Sequence, residues 1–378
     1  MADTDEKTDP EIALPTPARA KAQAGIKMPS LGPLDAFMRD PDVTEIMVND
    51  LRNVIIEKSG QMLQAGFRLQ GIDELNRLAR SILDFTGRIL SPDQPYVDTS
   101  LPDGSRVNLI GPPLAAAGVC ITIRKFPEHR YTLDQLNSSG MLDLRMAQFL
   151  SACVAGRANI LISGGTGSGK TTLLNALAQL APRTERIVTI EDTPELALPH
   201  INSVKLQTKP QMPGSAAIPA RELVANALRM RPDRILVGEC RRAEAFDMLQ
   251  AMNTGHDGSM TTIHANSTRD ALSRLETLCL LAGVDLPLLA IRKQMTSAID
   301  LIVQIRRYRG GARRVTAISE LTGMEAETIT LQDIFVFEQK GEADSPDGEG
   351  RFKCTGLVPT FMNKLRDNGV ELPKTFFS

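Results

Sequence analysis

The sequence predicts an α/β protein in which a small α+β domain is followed by a larger domain built around a mostly parallel sheet. The chain has 378 residues, a length that suits two domains at about 100–200 residues each. From about residue 141 onwards, helical segments alternate with short, entirely apolar runs. Strands buried on both faces have this continuous apolar character, and their alternation with helices indicates a parallel sheet.

Composition and charge exclude several classes of protein. Apolar residues make up 42% and charged residues 23%, near the globular average, so the chain is not disordered, collagen-like or membrane-embedded. The net charge of −2 provides no global basic field that would hold nucleic acid. The five cysteines form no CxxC pair, which favours reduced thiols in a cytoplasmic protein and argues against structural zinc.

Neither a signal peptide nor a membrane span is expected. The N-terminus lacks the basic-then-apolar order of a signal peptide. The longest stretch without a charged residue, 107–123, contains two prolines and falls short of the ~20 apolar residues needed to cross a bilayer. We therefore expect any association with a membrane to be peripheral.

Changes in composition divide the chain into four ranges. Residues 1–30 are small, polar and interrupted by prolines, which predicts a disordered lead because little apolar surface can be buried. Residues 31–126 are predicted to form the α+β domain. Residues 127–140, which contain proline, two serines and glycine, are predicted to form the linker. Residues 141–378 then form the larger domain.

Turn signals and periodicity define the elements of the first domain. Asn49-Asp50 and Ser59-Gly60 bound two β-rich segments, and Asp103-Gly104 precedes a third. Apolar residues recur at helical spacing before Gly87, a suitable helix stop. The predicted elements are strands at 45–48 and 53–57, a helix at 73–85, and strands at 106–110 and 119–124.

In the larger domain, each predicted helix leads into an apolar strand. The helices are at 143–154, 170–180 and 220–231, and the strands that follow them are at 159–163, 187–190 and 234–237. A further helix at 243–252 precedes a strand-like run at 259–266. Gly310-Gly311 signals a hairpin between strands at 301–306 and 314–319. Two more strands, at 335–338 and 352–356, flank an acidic, glycine-rich loop at 341–350.

The segment between the first strand and helix of this alternation carries the most specific motif. It fits G-x-x-x-x-G-K-[ST], after an apolar strand and at the start of a helix, as a phosphate-binding loop requires. Its glycines let the backbone approach phosphates, and the helix N-terminus favours an anion. Lys170 is expected to reach the β- and γ-phosphates, and Thr171 to bind Mg²⁺. We call this segment the phosphate loop; it comprises Gly164, Gly165, Thr166, Gly167, Ser168, Gly169, Lys170 and Thr171, with Thr172 following it.

Acidic residues follow two of the predicted strands. Hydrolysis requires a carboxylate to orient water and oxygen atoms to hold Mg²⁺. In an open α/β sheet, ligands bind at the carboxyl ends of strands. Glu191, Asp192 and Glu195 follow one strand end and Glu239 follows another. Since Gly238-Glu239 lacks the aspartate usual at that position, Glu239 is a candidate for positioning water, and a solvated acidic surface is the alternative.

The spacing of the four histidines does not settle their roles. His264 lies within the strand-like run at 259–266, where a histidine can either sense the γ-phosphate or serve as a packing residue. His256 suits a structural role, and His129 and His200 carry no recognisable signal. Because no H-x₃-H or H-E-x-x-H pair is present, zinc-dependent hydrolysis is unsupported.

Arginines are a further set of candidates. An arginine at the γ-phosphate can accelerate hydrolysis by ~10³–10⁵, and a planar, permanently charged guanidinium suits this role. Arg106 and Arg124 on the first domain's strands, and Arg241 after Glu239, are the candidates, with surface salt bridges as the alternative. A cluster near the predicted hairpin is either a basic patch or a solvated tip; it comprises Arg306, Arg307, Arg309, Arg313 and Arg314.

Several motifs together resemble those of secretion ATPases of the type II/type IV secretion superfamily, and among these the CpaF/TadA-type motors of tight-adherence pili. The resemblance extends from about residue 33 to 377. It rests on LPDGSRVN at 101–108, ITIRKF at 121–126, GGTGSGKTT at 164–172, IEDTPEL at 190–196 and the long run from LRMRPDRILVGEC to TTIHAN at 228–266.

The resemblance implies a homo-hexameric motor whose small N-terminal domain is joined by a linker to a RecA-like P-loop ATPase domain. It implies ATP and Mg²⁺ as cofactors, inner-membrane platform proteins as partners, and a location on the cytoplasmic face of the inner membrane. Asp192 and Glu195 match the Asp box, the latter being a candidate ligand of Mg²⁺. Glu239 matches the Walker B glutamate and His264 the His box, while Arg106 and Arg124 match arginines that approach the γ-phosphate.

The chain departs from the resemblance at two points. The tetracysteine zinc insertion of many related motors is absent from the sequence, and a longer N-terminal extension is replaced by a short lead. Two alternative functions stay open. A conjugation or DNA-uptake motor is disfavoured by the near-neutral charge and by an aromatic content of 4%, because strand-binding sites use basic grooves and stacking aromatics. A nucleotide-gated scaffold with little turnover is the other alternative.

Overall fold

The computed structural model describes residues 28–126, 131–209, 216–340 and 348–378. Most of the predicted lead, residues 1–27, lies outside the described residues, as do residues 127–130 of the predicted linker and most of the acidic loop at 341–350. The chain divides into two compact units, residues 1–129 and 130–378.

The first unit contains a six-stranded antiparallel sheet with strand order β3-β2-β1-β6-β5-β4. Its strands are β1 (Val43–Val48), β2 (Val54–Lys58), β3 (Gln61–Gln64), β4 (Tyr96–Ser100), β5 (Arg106–Ile110) and β6 (Cys120–Arg124). Its helices are α1 (Asp35–Arg39) and α2 (Ile72–Thr86).

A single apolar core holds the first unit together. The amphipathic helix α2 buries Leu75, Leu78 and Ile82 in the same cluster as the inward-facing residues of the sheet. Gly87 ends α2 with φ +63°, a conformation that glycine adopts at little cost. Met28, at the end of the predicted lead, also packs against this core.

The second unit contains a nine-stranded sheet with strand order β15-β14-β13-β12-β7-β11-β10-β8-β9. Its strands are β7 (Ile160–Gly164), β8 (Ile187–Glu191), β9 (Ser203–Gln207), β10 (Arg234–Val237), β11 (Met260–Ile263), β12 (Leu301–Arg307), β13 (Arg313–Glu325), β14 (Thr328–Gln339) and β15 (Gly350–Cys354). Its helices are α3 (Leu133–Ser138), α4 (Leu144–Ala155), α5 (Lys170–Ala178), α6 (Ala220–Ala227), α7 (Glu244–Asn253), α8 (Thr268–Leu280), α9 (Leu288–Ala298) and α10 (Met362–Asp367).

The large sheet is parallel in its centre, as predicted, and antiparallel at one end. From β12 to β9 every neighbouring pair is parallel, whereas β13, β14 and β15 are added antiparallel. Two separate apolar cores, one containing α4 and α5 and the other α6 to α9, cover the sheet. Because parallel strands run in the same direction, the carboxyl ends of β7, β8, β10 and β11 lie at the same edge of the sheet.

Two structural details bear on the predictions for the chain's organisation. The range predicted as a linker contains α3, which begins with a capping box formed by Thr132 and Gln135. A capping box satisfies backbone donors at the start of a helix, so even this polar segment forms a helix.

Within the described ranges, every helix is too short or too polar to cross a bilayer.

Candidate functional site

The phosphate loop joins β7 to α5, as the motif predicts. Gly167 and Gly169 have φ values of +66° and +98°, which a residue with a side chain would adopt only with strain. No side chain caps the N-terminus of α5. The first backbone N–H groups of this helix have no intrahelical partner, and such groups bind anions.

The loop packs closely against its surroundings at two glycines and is open at a third. A Cβ atom at Gly164 would lie 2.6 Å from the carbonyl oxygen of Ile305, and one at Gly167 would lie 2.9 Å from Nη1 of Arg307. A Cβ atom at Gly165 would have no neighbour within 4 Å. The loop is therefore supported by β12 and leaves space beside Gly165, an arrangement that fits a bound phosphate chain.

The Lys170 ammonium is held inside the loop. Its side chain is buried, and Nζ donates to the carbonyl oxygens of Gly164 and Gly165, at 3.0 Å in each case. Nζ also lies 3.3 Å from Nδ1 of His264. This places a fixed positive charge beside the N-terminus of α5, where a nucleotide's β- and γ-phosphates would be stabilised.

His264 follows β11 and connects Lys170 with Glu239. Its Nε2 lies 2.8 Å from Oε1 of Glu239, but the two groups are not aligned as a hydrogen bond, since that oxygen is buried without a hydrogen-bond partner. Burial and the nearby Lys170 lower the pKa of His264, although Glu239 acts in the opposite direction. The neutral form of His264 is therefore favoured, and its ring lies between a cation and a carboxylate.

The row of polar side chains continues through Arg241 to the end of β8. Nη2 of Arg241 lies 2.7 Å from Oε2 of Glu239, and Nη1 lies 3.4 Å from Oδ2 of Asp192. The Thr208 hydroxyl donates to Asp192 at 2.9 Å. The pKa of Arg241 is raised by its hydrogen bond to Glu239. We call the continuous set Lys170, His264, Glu239, Arg241 and Asp192 the polar row.

Glu191 lies beside the polar row and has a different role. It is buried, and its Oε1 accepts the backbone amides of Glu195 and Leu196 at 2.9 and 3.0 Å. Burial raises the pKa of Glu191 to about 7. The Glu191 carboxyl thus holds the segment that carries Glu195, so we assign it as a positioning residue.

The other predicted site residues lie on three different parts of the chain. Thr171 and Thr172 are half-buried in the first turn of α5, and Glu195 is half-buried in the segment that Glu191 holds. In the first unit, Arg106 and Arg124 lie directly opposite each other on β5 and β6. Nε of Arg124 lies 3.8 Å from Oε1 of Glu45.

The oxygen groups near the phosphate loop are of the type that Mg²⁺ prefers. The described residues contain no group of three His, Cys, Asp or Glu side chains that could hold a metal ion by themselves. Mg²⁺ at nucleotide sites is bound by one or two protein oxygens together with phosphates and water. The hydroxyl of Thr171 and nearby carboxylates fit this mode of binding.

Two residues near the site were missed by the sequence analysis. Glu244, in the first turn of α7, accepts the backbone amides of Arg241 and Arg242 at 2.6 and 2.8 Å. An acid three residues after Arg241 at a helix start is a capping signal that could have identified it. Arg313 donates from Nε to the carbonyl oxygen of Gly167 at 3.0 Å. These two residues are 146 positions apart in sequence, and no local pattern connects them.

Comparison with known proteins identifies a family. The model of the family "Type II/IV secretion system protein" matches residues 28–336. A putative conjugal transfer protein of Mycobacterium tuberculosis is 35% identical over 78% of this chain and 85% of its own length. The type IV secretion system protein VirB11 of Bartonella quintana is 33% identical over 75% of this chain and 90% of its own length.

Another relative is longer than this chain. An uncharacterized protein of Methanocaldococcus jannaschii is 43% identical over 61% of this chain, but the match spans only 33% of that protein.

Solved structures confirm the fold class. The pilus retraction motor PilT with bound ADP matches with a TM-score of 0.55 and 22% sequence identity, over 78% of this chain and 83% of that structure. At this identity the similarity concerns the fold alone. The predicted combination of an N-terminal α+β domain with a RecA-like domain is thereby confirmed.

Proposed function

Because the chain belongs to the type II/IV secretion system protein family, we propose that it is an ATP-hydrolysing enzyme and the motor of a secretion or pilus apparatus, specifically of the tight-adherence pilus type. The family assignment supports the broader function. The CpaF/TadA-type motifs quoted above support the narrower one.

The polar row is the observation that supports this proposal most directly. It places a buried cation, a histidine and a carboxylate side by side along one edge of the sheet, with distances of 3.3 Å from Lys170 to His264 and 2.8 Å from His264 to Glu239. Phosphoryl transfer depends on positioning and on stabilisation of charge. A row that extends from the phosphate-binding cation to a carboxylate suits ATP hydrolysis.

We assign the site residues as follows. The phosphate loop and Lys170 bind the phosphates, and Glu239 orients the attacking water. His264 senses the γ-phosphate, and Arg241 holds Glu239 and Asp192 in place. Thr171 and Glu195 would hold Mg²⁺, which would neutralise charge on the phosphate oxygens. Arg106 and Arg124 are assigned to charge developing on the γ-phosphate.

The proposed working form is a homo-hexamer at the cytoplasmic face of the inner membrane, where it acts on the apparatus's inner-membrane platform proteins. The resemblance of the motifs to tight-adherence motors supports this form. Nucleic acid is not a partner in this proposal, in keeping with the net charge of −2.

Two variants test the assignment of the site. Lys170→Ala should abolish ATP binding and turnover, because it removes the cation that stabilises the phosphates. Glu239→Gln should abolish turnover but still bind ATP, because its amide cannot activate water yet keeps the shape of the side chain. Glu222→Gln, an exposed change on α6, is the matched control and should retain full turnover. Wild-type turnover by Glu239→Gln would show that another residue orients the water.

The narrower function is tested in the organism that carries the chain. Lys170→Ala in the chromosomal copy should remove tight-adherence pili from the cell surface, as seen by electron microscopy. Normal piliation together with failed export of a protein would instead identify a secretion motor.

A conjugation motor is the second candidate, because the Mycobacterium tuberculosis relative is named a putative conjugal transfer protein. Turnover measured with and without single- and double-stranded DNA separates the two candidates. The pilus proposal predicts no stimulation by DNA. A severalfold stimulation that salt abolishes would favour the conjugation motor.

A further inference from the structure

The hairpin of β12 and β13, which lies far from the phosphate loop in sequence, contacts the loop. β12 and β13 form an antiparallel pair in which Arg307 is directly opposite Arg313. Nε of Arg313 donates to the carbonyl oxygen of Gly167 at 3.0 Å. Nη1 of Arg307 lies so close to Gly167 that a Cβ atom there would be 2.9 Å away. Both arginines of this pair therefore contact the same residue of the loop.

The two arginines add positive charge beside the phosphate loop. They are half-buried and adjoin the N-terminus of α5, which carries a partial positive charge of its own. A polyanion in the phosphate loop would stabilise all of these positive groups at once.

The backbone of Arg313 is held from a second direction. The amide of Val315 donates to the carbonyl oxygen of Met141 at 2.7 Å. The Met141 side chain in turn reaches the loop, since a Cβ atom at Gly169 would lie 3.5 Å from its Cε. Arg313 thus extends from a strand held by Met141 to the carbonyl of Gly167 in the loop.

The contact determines the orientation of one peptide unit. The carbonyl of Gly167 and the N–H of Ser168 belong to the same planar group and point in opposite directions. With the Gly167 carbonyl held by Arg313, the Ser168 N–H is directed to the opposite side, where it donates to the carbonyl oxygen of Gly165 at 3.4 Å. A cation on the carbonyl also polarises the peptide, which strengthens the hydrogen bond that its N–H donates to an anion.

We propose that Arg313, assisted by Arg307, is a positioning residue of the phosphate loop that raises the affinity for nucleotide di- and triphosphates by fixing and polarising the peptide between Gly167 and Ser168. This proposal rests on ATP binding by the loop. It assigns a function to two of the five arginines that the sequence left as a patch or a hairpin tip.

Equilibrium binding of ADP and of AMP by the full chain tests the proposal, because only ADP carries the β-phosphate that the loop holds. Arg313→Ala should weaken ADP binding by about tenfold or more, the usual effect of losing a charge-assisted hydrogen bond. AMP binding should be unchanged. Arg313→Lys should recover most of the ADP affinity, since an ammonium can also donate to the Gly167 carbonyl. Arg309→Ala, an equal loss of charge at an exposed position of the same hairpin, should bind both nucleotides like the wild type.

The outcomes separate this proposal from a merely structural role. If Arg313→Ala binds ADP as tightly as the wild type, or loses ADP and AMP affinity equally, the proposal is overturned. If Arg313→Ala does not fold, as judged by its thermal transition, Arg307→Ala gives the decision: a selective loss of ADP affinity supports the proposal and unchanged affinity overturns it. A wild-type chain that binds no ADP would overturn the proposed function itself, and this proposal with it.

Discussion

At the scale of single residues, two carboxylates at neighbouring strand ends have different environments. Glu239 faces His264 and Arg241, at 2.8 and 2.7 Å, whereas the Glu191 carboxyl is buried and accepts two backbone amides. Burial without a cation favours the neutral form of a carboxyl group. One carboxylate is thus suited to chemistry and the other to holding a loop.

Glu191 makes stability depend on pH. Its pKa is about 7 in the folded chain against an ordinary value of 4.5, so the folded state binds more protons than the unfolded state between these values. The contribution of this group to stability therefore falls as pH rises from about 4.5 to 7. Glu191→Gln should remove this loss and raise the free energy of unfolding at pH 8 by up to about 3 kcal/mol.

Urea unfolding of the wild type and of Glu191→Gln at pH 5 and pH 8 measures this effect. We expect the difference between the two proteins to be larger at pH 8. Turnover should persist in the variant, because its amide oxygen can still accept the two backbone N–H groups. If the difference in free energy of unfolding between Glu191→Gln and the wild type is the same at pH 5 and pH 8, the raised pKa assigned to Glu191 is wrong.

His264 connects the cation of the phosphate loop to Glu239. Without it, Glu239 loses the group that faces its inner oxygen, and we expect the orientation of the attacking water to suffer more than nucleotide binding does. His264→Ala should lower kcat by at least about tenfold with little change in KM, the pattern of a lost interaction specific to the transition state. His256→Ala is the control; His256 lies near the carbonyl of Ala251 and should have no effect on kcat. Equal kcat in the two variants would remove His264 from the mechanism.

At the scale of elements, the predictability of a strand depended on its burial. β5 and β10 were predicted to the residue, and β7 to within one residue, because their apolar residues are fixed by the cores on which they pack. β3, β4 and β9 lie at sheet edges, and their residues are exposed or half-buried apart from Val97. Their polar residues gave no signal, since an edge strand is specified by the neighbour with which it pairs.

The residues of the candidate site also fall into those that local sequence motifs identify and those that they do not. The phosphate loop, Glu239 and His264 were identifiable because each follows a buried strand within a local motif, and topology then brings the strand ends together. Arg313 was not identifiable as a loop contact. Its proximity to Gly167 depends on the pairing of β12 with β7, which the sequence does not specify locally.

The geometry of the phosphate loop makes a prediction at this scale. Gly167→Ala places a side chain at φ +66°, against Nη1 of Arg307. A left-handed conformation costs a residue with a Cβ atom about 1–2 kcal/mol, so ADP affinity should fall by about tenfold. Gly71→Ala is the control, because a Cβ atom there meets no atom within 4 Å, its backbone is extended at φ 174° and it lies outside the phosphate loop. Unchanged ADP affinity in Gly167→Ala would contradict this loop geometry.

At the scale of the whole molecule, the nucleotide chemistry lies in the second unit, while Arg106 and Arg124 lie in the first. The proposed working form is a ring of six chains. Activity should therefore depend on assembly.

The most direct test of this account is ATP turnover per chain as a function of protein concentration, with Lys170→Ala as the blank and the mass of the particles measured in parallel. For a motor completed by assembly, we expect turnover that rises steeply over the concentrations at which six-subunit particles form and that is absent in the variant. Turnover per chain that stays constant while the particles dissociate would contradict it, as would turnover that persists in Lys170→Ala.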